Sequence, residues 1–148
     1  MNLEILVKLA QIVGFILAGI SLVFTAVTYI KNNKLKRGEW LKSLFEKFYE
    51  GKTFSKIRKE IEYERIGVYL ELNENGDVKS EENEEELVDY LNFFEFIATL
   101  VKNGHLRKGE VNQMFGYFLK AINKNDFLKN YLIKYDFENL DELLKEYE

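Results

Sequence analysis

The 148-residue chain has no cysteine, no proline, one histidine and one tryptophan. Without cysteine there is no disulfide framework, no thiolate nucleophile and no cysteine-based metal site. Without proline the strongest helix breaker is missing, and a composition rich in Lys, Glu, Leu, Phe and Asn reads as helices joined by short Gly, Asn and Asp turns. The expected class is all-α. The lone histidine, His105, falls in the turn from Asn103 to Lys108 with no acidic residue at helical ligand spacing. It reads as a solvent-exposed turn residue and not as a zinc ligand. A Ser-His-Asp order, a GxSxG elbow, a glycine-rich phosphate loop and a dinucleotide fingerprint are all missing. So is the arginine that the helical ribonuclease signature places a few residues before its histidine. No enzyme, metal or cofactor is therefore expected.

Charge is unevenly placed. The net charge is -4, but Lys31, Lys34, Lys36 and Arg37 sit in one run, and every acidic residue except Glu4 lies beyond Gly38. From Gly38 onward there are 16 basic and 24 acidic residues, a balance of -8. An acidic domain argues against nucleic acid as a partner, leaving room only for a local basic groove.

Ile12 to Ile30 is a stretch of 19 residues without charge, and counting back to Leu9 gives 22. At 1.5 Å per residue that is about 33 Å of helix, enough for a bilayer core of about 30 Å. A cleaved signal peptide fits poorly, since the run is too long and the basic cluster follows it. By the positive-inside rule the basic end lies inside and the short N-terminus outside. The expected organisation is a transmembrane anchor over residues 1–30 in the plasma or inner membrane and a basic juxtamembrane segment over 31–37. A cytoplasmic bundle of about five or six helices follows over 38–148. Aromatic residues, 15% of the chain, give that small domain large side chains to bury.

One face of the anchor is slim and polar. Glu4, Gln11, Ala18 and Thr25 lie seven apart, interleaved with Gly14, Ser21 and Thr28, while the other faces carry Ile16, Leu17, Ile20, Val23, Phe24 and Val27. Helices in lipid pair through close packing of small residues and interhelical hydrogen bonds, because apolar burial offers little between them. A seven-residue period implies left-handed crossing. Gln11, Gly14, Ala18, Ser21, Thr25 and Thr28 are thus the expected self-association face, turned toward sister copies in a packed bundle or, in a larger ring, toward a polar pore. The alternative is that the hydroxyls bond their own backbone carbonyls and that Glu4 and Lys8 form an i, i+4 pair. Val7 interrupts the seam and Gly19 lies off it.

Beyond the basic run, Trp40, Leu41, Leu44, Phe45 and Phe48 fall on one helical face ending at Gly51. A second helix follows, with Thr53 as its cap and Phe54, Ile57 and Ile61 inward. Gly67 to Leu72 is the only strand-like stretch and reads as an extended connector or a helix end; the turn NENGD follows it. Ser80 is placed to cap a central helix that buries Leu87, Tyr90, Leu91, Phe94, Ile97, Ala98 and Val101 and closes at Asn103 and Gly104. A fourth helix is expected over about Lys108 to Lys124, with Val111, Met114, Phe115, Phe118, Leu119 and Ile122 apolar. A fifth starts at Asp126, and a short sixth runs over Glu138 to Tyr147.

Glu95 stands among core aromatics, and a carboxylate there needs a partner. It is either on a solvated face, tied to a neighbouring helix end, or a recognition residue for a basic partner. Arg58 and Arg65, placed on the second helix, are the first candidates to pair with it.

Several stretches together resemble the domain-of-unknown-function 4760 family of bacterial and prophage-associated membrane proteins. They are Arg37, Trp40 and Leu41 after the apolar run; Leu91, Asn92, Phe93, Phe94, Glu95, Ile97 and Ala98 with the ending Asn103, Gly104; Phe115, Gly116 and Tyr117; and the region from Tyr135 to Leu144. The resemblance implies a membrane-tethered helical protein, with some relatives near phage-defence genes, and implies no catalytic motif. A looser likeness, of architecture alone, is to single-span accessory proteins of RNA-targeting CRISPR loci that form membrane pores. The expected function is accordingly a self-associating, non-enzymatic membrane protein acting as a defence effector that perturbs or opens the bilayer. The alternative is a monomeric tethered adaptor for a cytoplasmic protein.

Overall fold

The computed structural model describes residues 3–147, the side chains of residues 5, 6 and 53 apart. The described chain is all-α. Helix α1 runs Leu3–Glu50, α2 Lys52–Glu62, α3 Ile66–Tyr69, α4 Glu81–Lys102, α5 Lys108–Lys124, α6 Asp126–Lys134 and α7 Glu138–Leu144, with a closing 3-10 turn Lys145–Tyr147. Two compact units divide between Glu39 and Trp40. The first is helical throughout its described length, so the basic run at 31–37 is helix.

The second unit is built around Phe48, which is fully buried. Its ring lies within 4.8–5.8 Å of Tyr49, Phe54, Tyr90, Phe93, Phe94, Phe115 and Phe118. These rings come from α1, α2, α4 and α5, so one side chain ties together four helices. The stacked, tilted and edge-on pairs suit the aromatic quadrupole. Leu41 is buried and Leu44 and Phe45 half-buried, as the spacing predicts. Trp40 departs from it: half of its surface is exposed, and its ring meets His105 edge-on at 6.2 Å. It sits one turn before Leu44, where the inward face runs out.

Helix α4 packs on α2 and α7, and α5 on α2, α6 and α7. Its expected inward residues Leu87, Tyr90, Leu91, Phe94, Ile97 and Ala98 are all buried, and Val101 is half-buried. Phe93 is buried as well. Tyr90 is fully enclosed, and its hydroxyl has no hydrogen-bond partner among the described residues. Burial raises its pKa, with Glu62 adding to the rise and Arg58 opposing it. A buried unsatisfied hydroxyl costs about 1–3 kcal/mol. Tyr90→Phe is therefore expected to leave stability unchanged or raise it by about 1 kcal/mol in equilibrium unfolding; a loss of that size would reveal a partner for the oxygen.

Local chemistry sets the helix ends. Ser80 Oγ accepts from Asn83 N at 3.4 Å, as expected of the α4 cap, with Glu81, Glu82 and Glu84 in the first turn facing the dipole. The helix closes at Asn103, and Gly104 takes φ +72°. Asn125 Oδ1 caps α6 by accepting from Leu128 N at 3.1 Å. Helix α2 starts with Gly51 at its N-cap and no side-chain cap bond; the side chain of Thr53, the expected cap, lies outside the described residues. A Cβ on Gly51 would collide with the Lys47 carbonyl oxygen, which explains a glycine where α1 turns into α2.

The strand-like stretch is not extended. Residues 66–69 form the single-turn α3, and Leu72 N still bonds back to Gly67 O at 3.1 Å. An isolated strand has no ladder to satisfy its backbone. The segment instead bonds to itself and drops Leu70 into the core, with the Leu70 carbonyl accepting from Lys79 N and Ser80 N. Asn73 organises the intervening turn, its Oδ1 accepting from Asn75 N and Asp77 N at 2.9 Å each, and Gly76 takes φ +82°.

Candidate functional site

The site residues expected from the sequence lie in two places: the apolar part of α1 and the surroundings of Glu95. Over residues 9–30 every side chain of α1 is exposed, including Ile16, Leu17, Ile20, Leu22, Val23, Phe24 and Val27. The helix is long and apolar enough to cross a membrane. At about 100° per residue, Gln11, Gly14, Ala18, Ser21, Thr25 and Thr28 fall within an arc of about 100°, with Ile16, Ile20 and Val27 on the far side. A Cβ built on Gly14 meets nothing within 4 Å, so the slim face is open within the chain. Thr25 Oγ1 donates to the Ser21 carbonyl at 2.8 Å. Its proton is thus used inside the helix, as the backbone-bonding alternative holds, while its oxygen remains able to accept.

Glu95 is half-buried and tied to a helix end. Oε1 accepts from Asn139 N at 3.2 Å and from Asn139 Nδ2 at 2.6 Å; Oε2 accepts from Leu140 N at 2.7 Å. Those amides open α7, whose own N-cap residue is Phe137, a side chain with nothing to accept with. The carboxylate of α4 therefore supplies the cap that α7 lacks and lies against the positive end of its dipole. Thr99 extends the arrangement, donating to Glu95 O at 2.9 Å and accepting from Asn139 Nδ2 at 3.2 Å. Lys102 Nζ reaches Asn139 Oδ1 at 2.9 Å and Glu142 at 3.3 Å.

Neither expected arginine pairs with Glu95 among the described residues. Arg58 lies flat on aromatic faces, its guanidinium carbon 4.6 Å from the Tyr49 ring centroid and 5.3 Å from that of Phe48. Its Nη1 donates to the Phe48 carbonyl at 3.3 Å, in the last turn of α1, where a cation is favoured. Arg65 is not on α2 but at the N-cap of α3, where Nη2 bonds Glu60 at 3.0 Å and the guanidinium stacks on Tyr63. All three of these residues thus make contacts within the chain.

Two tyrosines at the acidic start of α4 carry no sign of their role in the sequence pattern. Tyr69 donates to Glu86, and Tyr131 donates to Glu84 at 2.8 Å. Burial first, and then these carboxylates, push both phenols above their ordinary range, so they stay protonated donors. Lys56 joins the same group, 4.7 Å from the Tyr69 ring and 3.7 Å from Glu86. His105 is exposed, as expected of its turn. Among the described residues no cluster of His, Asp and Glu is arranged to hold a metal.

No curated protein and no solved structure matches this chain. A family pattern does, described as Domain of unknown function (DUF4760), and its span of residues 9–148 takes in the charge-free part of α1 together with the whole helical domain. On that match over nearly its full length, the chain belongs to the DUF4760 family.

Proposed function

We propose that this protein is a single-pass membrane protein whose copies associate through the slim face of α1, and that it acts by assembly in the bilayer and not by catalysis. The observation that carries the proposal is the exposure along residues 9–30 of an apolar helix on which Gln11, Gly14, Ala18, Ser21, Thr25 and Thr28 share one arc. In water so large an apolar surface would drive aggregation. In lipid it needs no cover, and the Gly14, Ala18 and Ser21 arc offers the close approach that pairs helices there. The family match takes in this segment together with the helical domain. The basic run at 31–37 supports an outside N-terminus and an inside domain. An effector of phage defence that perturbs or opens the membrane is the biological role this assembly fits, with Gln11, Ser21, Thr25 and Thr28 toward the shared axis.

The absence of native cysteine makes the test clean. Ala18→Cys in membranes is expected to give a disulfide-linked dimer under mild oxidation, whereas Ile20→Cys, on the opposite side, is expected to stay monomeric. Expression of the wild type, but not of Gly14→Leu/Ala18→Leu/Ser21→Leu, is expected to make cells leaky to a membrane-impermeant dye. Equal cross-linking at both positions would remove the seam, and none at either would favour a monomeric tethered adaptor.

A further inference from the structure

Because the cationic run is helical, its charges have fixed directions. Helix α1 continues unbroken through Lys31, Lys34, Lys36 and Arg37. At about 100° per residue the three lysines are separated by about 60°, 140° and 160° around the axis, and Arg37 falls in the widest gap. All three lysines are exposed, and Arg37 is half-buried. The charges surround the helix as a collar and do not form one basic face. A one-sided basic face suits a helix lying in the plane of a surface. A collar suits one passing through a layer charged on every side.

The dimensions agree. From Lys31 to Arg37 the helix rises about 9 Å, against about 5–8 Å for one headgroup layer. The collar begins at the residue after Ile30, the last of the charge-free run, and no acidic residue occurs between Glu4 and Glu39. Lysine stems of this length can extend along acyl chains and carry the ammonium to a phosphate.

We infer that this collar binds the phosphates of anionic phospholipids and so gathers such lipids around the anchor; the inference rests on the membrane reading above. Each lysine near an anionic surface is worth about fivefold in partitioning, screened as ionic strength rises. Three acting together predict an enrichment of about tenfold or more after screening.

The test uses the full chain reconstituted in vesicles of phosphatidylcholine and phosphatidylglycerol in equal parts, extracted in mild detergent, with the retained lipid identified by mass. Wild type is expected to retain phosphatidylglycerol about tenfold over phosphatidylcholine. Lys31→Gln/Lys34→Gln/Lys36→Gln is expected to fall to the bulk ratio, and Lys8→Gln, at the other end of the span, to behave as wild type. Retention at the bulk ratio by wild type, or undiminished enrichment in the triple variant, overturns the inference. So does loss of enrichment on adding millimolar inorganic phosphate, which would mark a site for free anions. Release of wild type from the vesicles by alkaline carbonate would instead remove the anchor reading itself, an outcome distinct from an embedded chain with unselected lipid.

Discussion

Replacing Phe48 by alanine is expected to cost about 3–5 kcal/mol, the range for truncating a buried phenylalanine and a large share of the 5–15 kcal/mol that stabilises a typical domain. The expectation follows from position more than from residue type. Phe48 is fully buried and meets rings from α1, α2, α4 and α5, so its removal opens a cavity bordered by four helices. It also takes away a face on which the Arg58 guanidinium rests. The surrounding rings are large and rigid and can collapse only partly into the gap. Phe96→Ala is the matched control: the same atoms are removed from a side chain more than half exposed, and a loss below about 1 kcal/mol is expected. Urea unfolding of the full chain in detergent measures both. At a slope of about 1–3 kcal/mol/M the Phe48 variant should lose on the order of 2 M in midpoint, or fail to fold. Equal midpoints for the two variants would mean that the aromatic cluster is not where the stability of the domain lies.

Much of this fold is legible in the sequence because its helices are strongly periodic and several are punctuated by residues with a local mechanism. Ser80, Gly104 and Asn125 act through their own side chains or backbone freedom, so the ends they mark can be read without any tertiary information. Other ends cannot. Glu64, Glu71 and Asp136 take left-handed backbone at φ 52–58°, a conformation in which glycine or asparagine would be the readable sign. The stretch from Gly67 to Leu72 reads as strand-like from its β-branched and aromatic content. What decides its conformation is the lack of any partner strand among the described residues, a fact about the rest of the chain. Nor does the pattern reveal that the basic run at 31–37 is helical: such a run after an apolar one looks the same in helix or coil.

The candidate site shows the same division. The slim face of α1 is visible from spacing alone, because helical geometry fixes which residues share an arc. The environment of Glu95 is not, since its partners lie 44 and 45 residues away on α7. The conflict was visible in that a carboxylate among buried aromatics needs donors. A neighbouring helix end is one of the places the sequence leaves open for this carboxylate, and its donors are indeed the amides that open α7 and not Arg58 or Arg65. A sign was present at the other end: α7 opens after Phe137 with no capping side chain of its own, so its first amides had to be satisfied from elsewhere.

Removing that external cap gives the second large effect. Glu95→Ala leaves Asn139 N and Leu140 N without their acceptor and takes a negative charge from the positive end of the α7 dipole. Charge-assisted hydrogen bonds contribute about 1.5–3 kcal/mol each, and the two amides share one carboxylate, so a loss of about 2–4 kcal/mol is expected. Glu95→Gln keeps one carbonyl oxygen and loses the charge; about half the effect should remain. The damage should also be local. Hydrogen exchange is expected to quicken first over residues 138–144, where Leu140, Leu143 and Leu144 would lose their hold on the core, while the amides of α4 and α5 remain protected until global unfolding. A recognition role for Glu95 predicts a different pattern, with unchanged stability and unchanged exchange in the isolated protein. Measuring both variants therefore separates a carboxylate that holds α7 in place from one reserved for a partner, and a loss below about 0.5 kcal/mol for Glu95→Ala would leave the capping account without support.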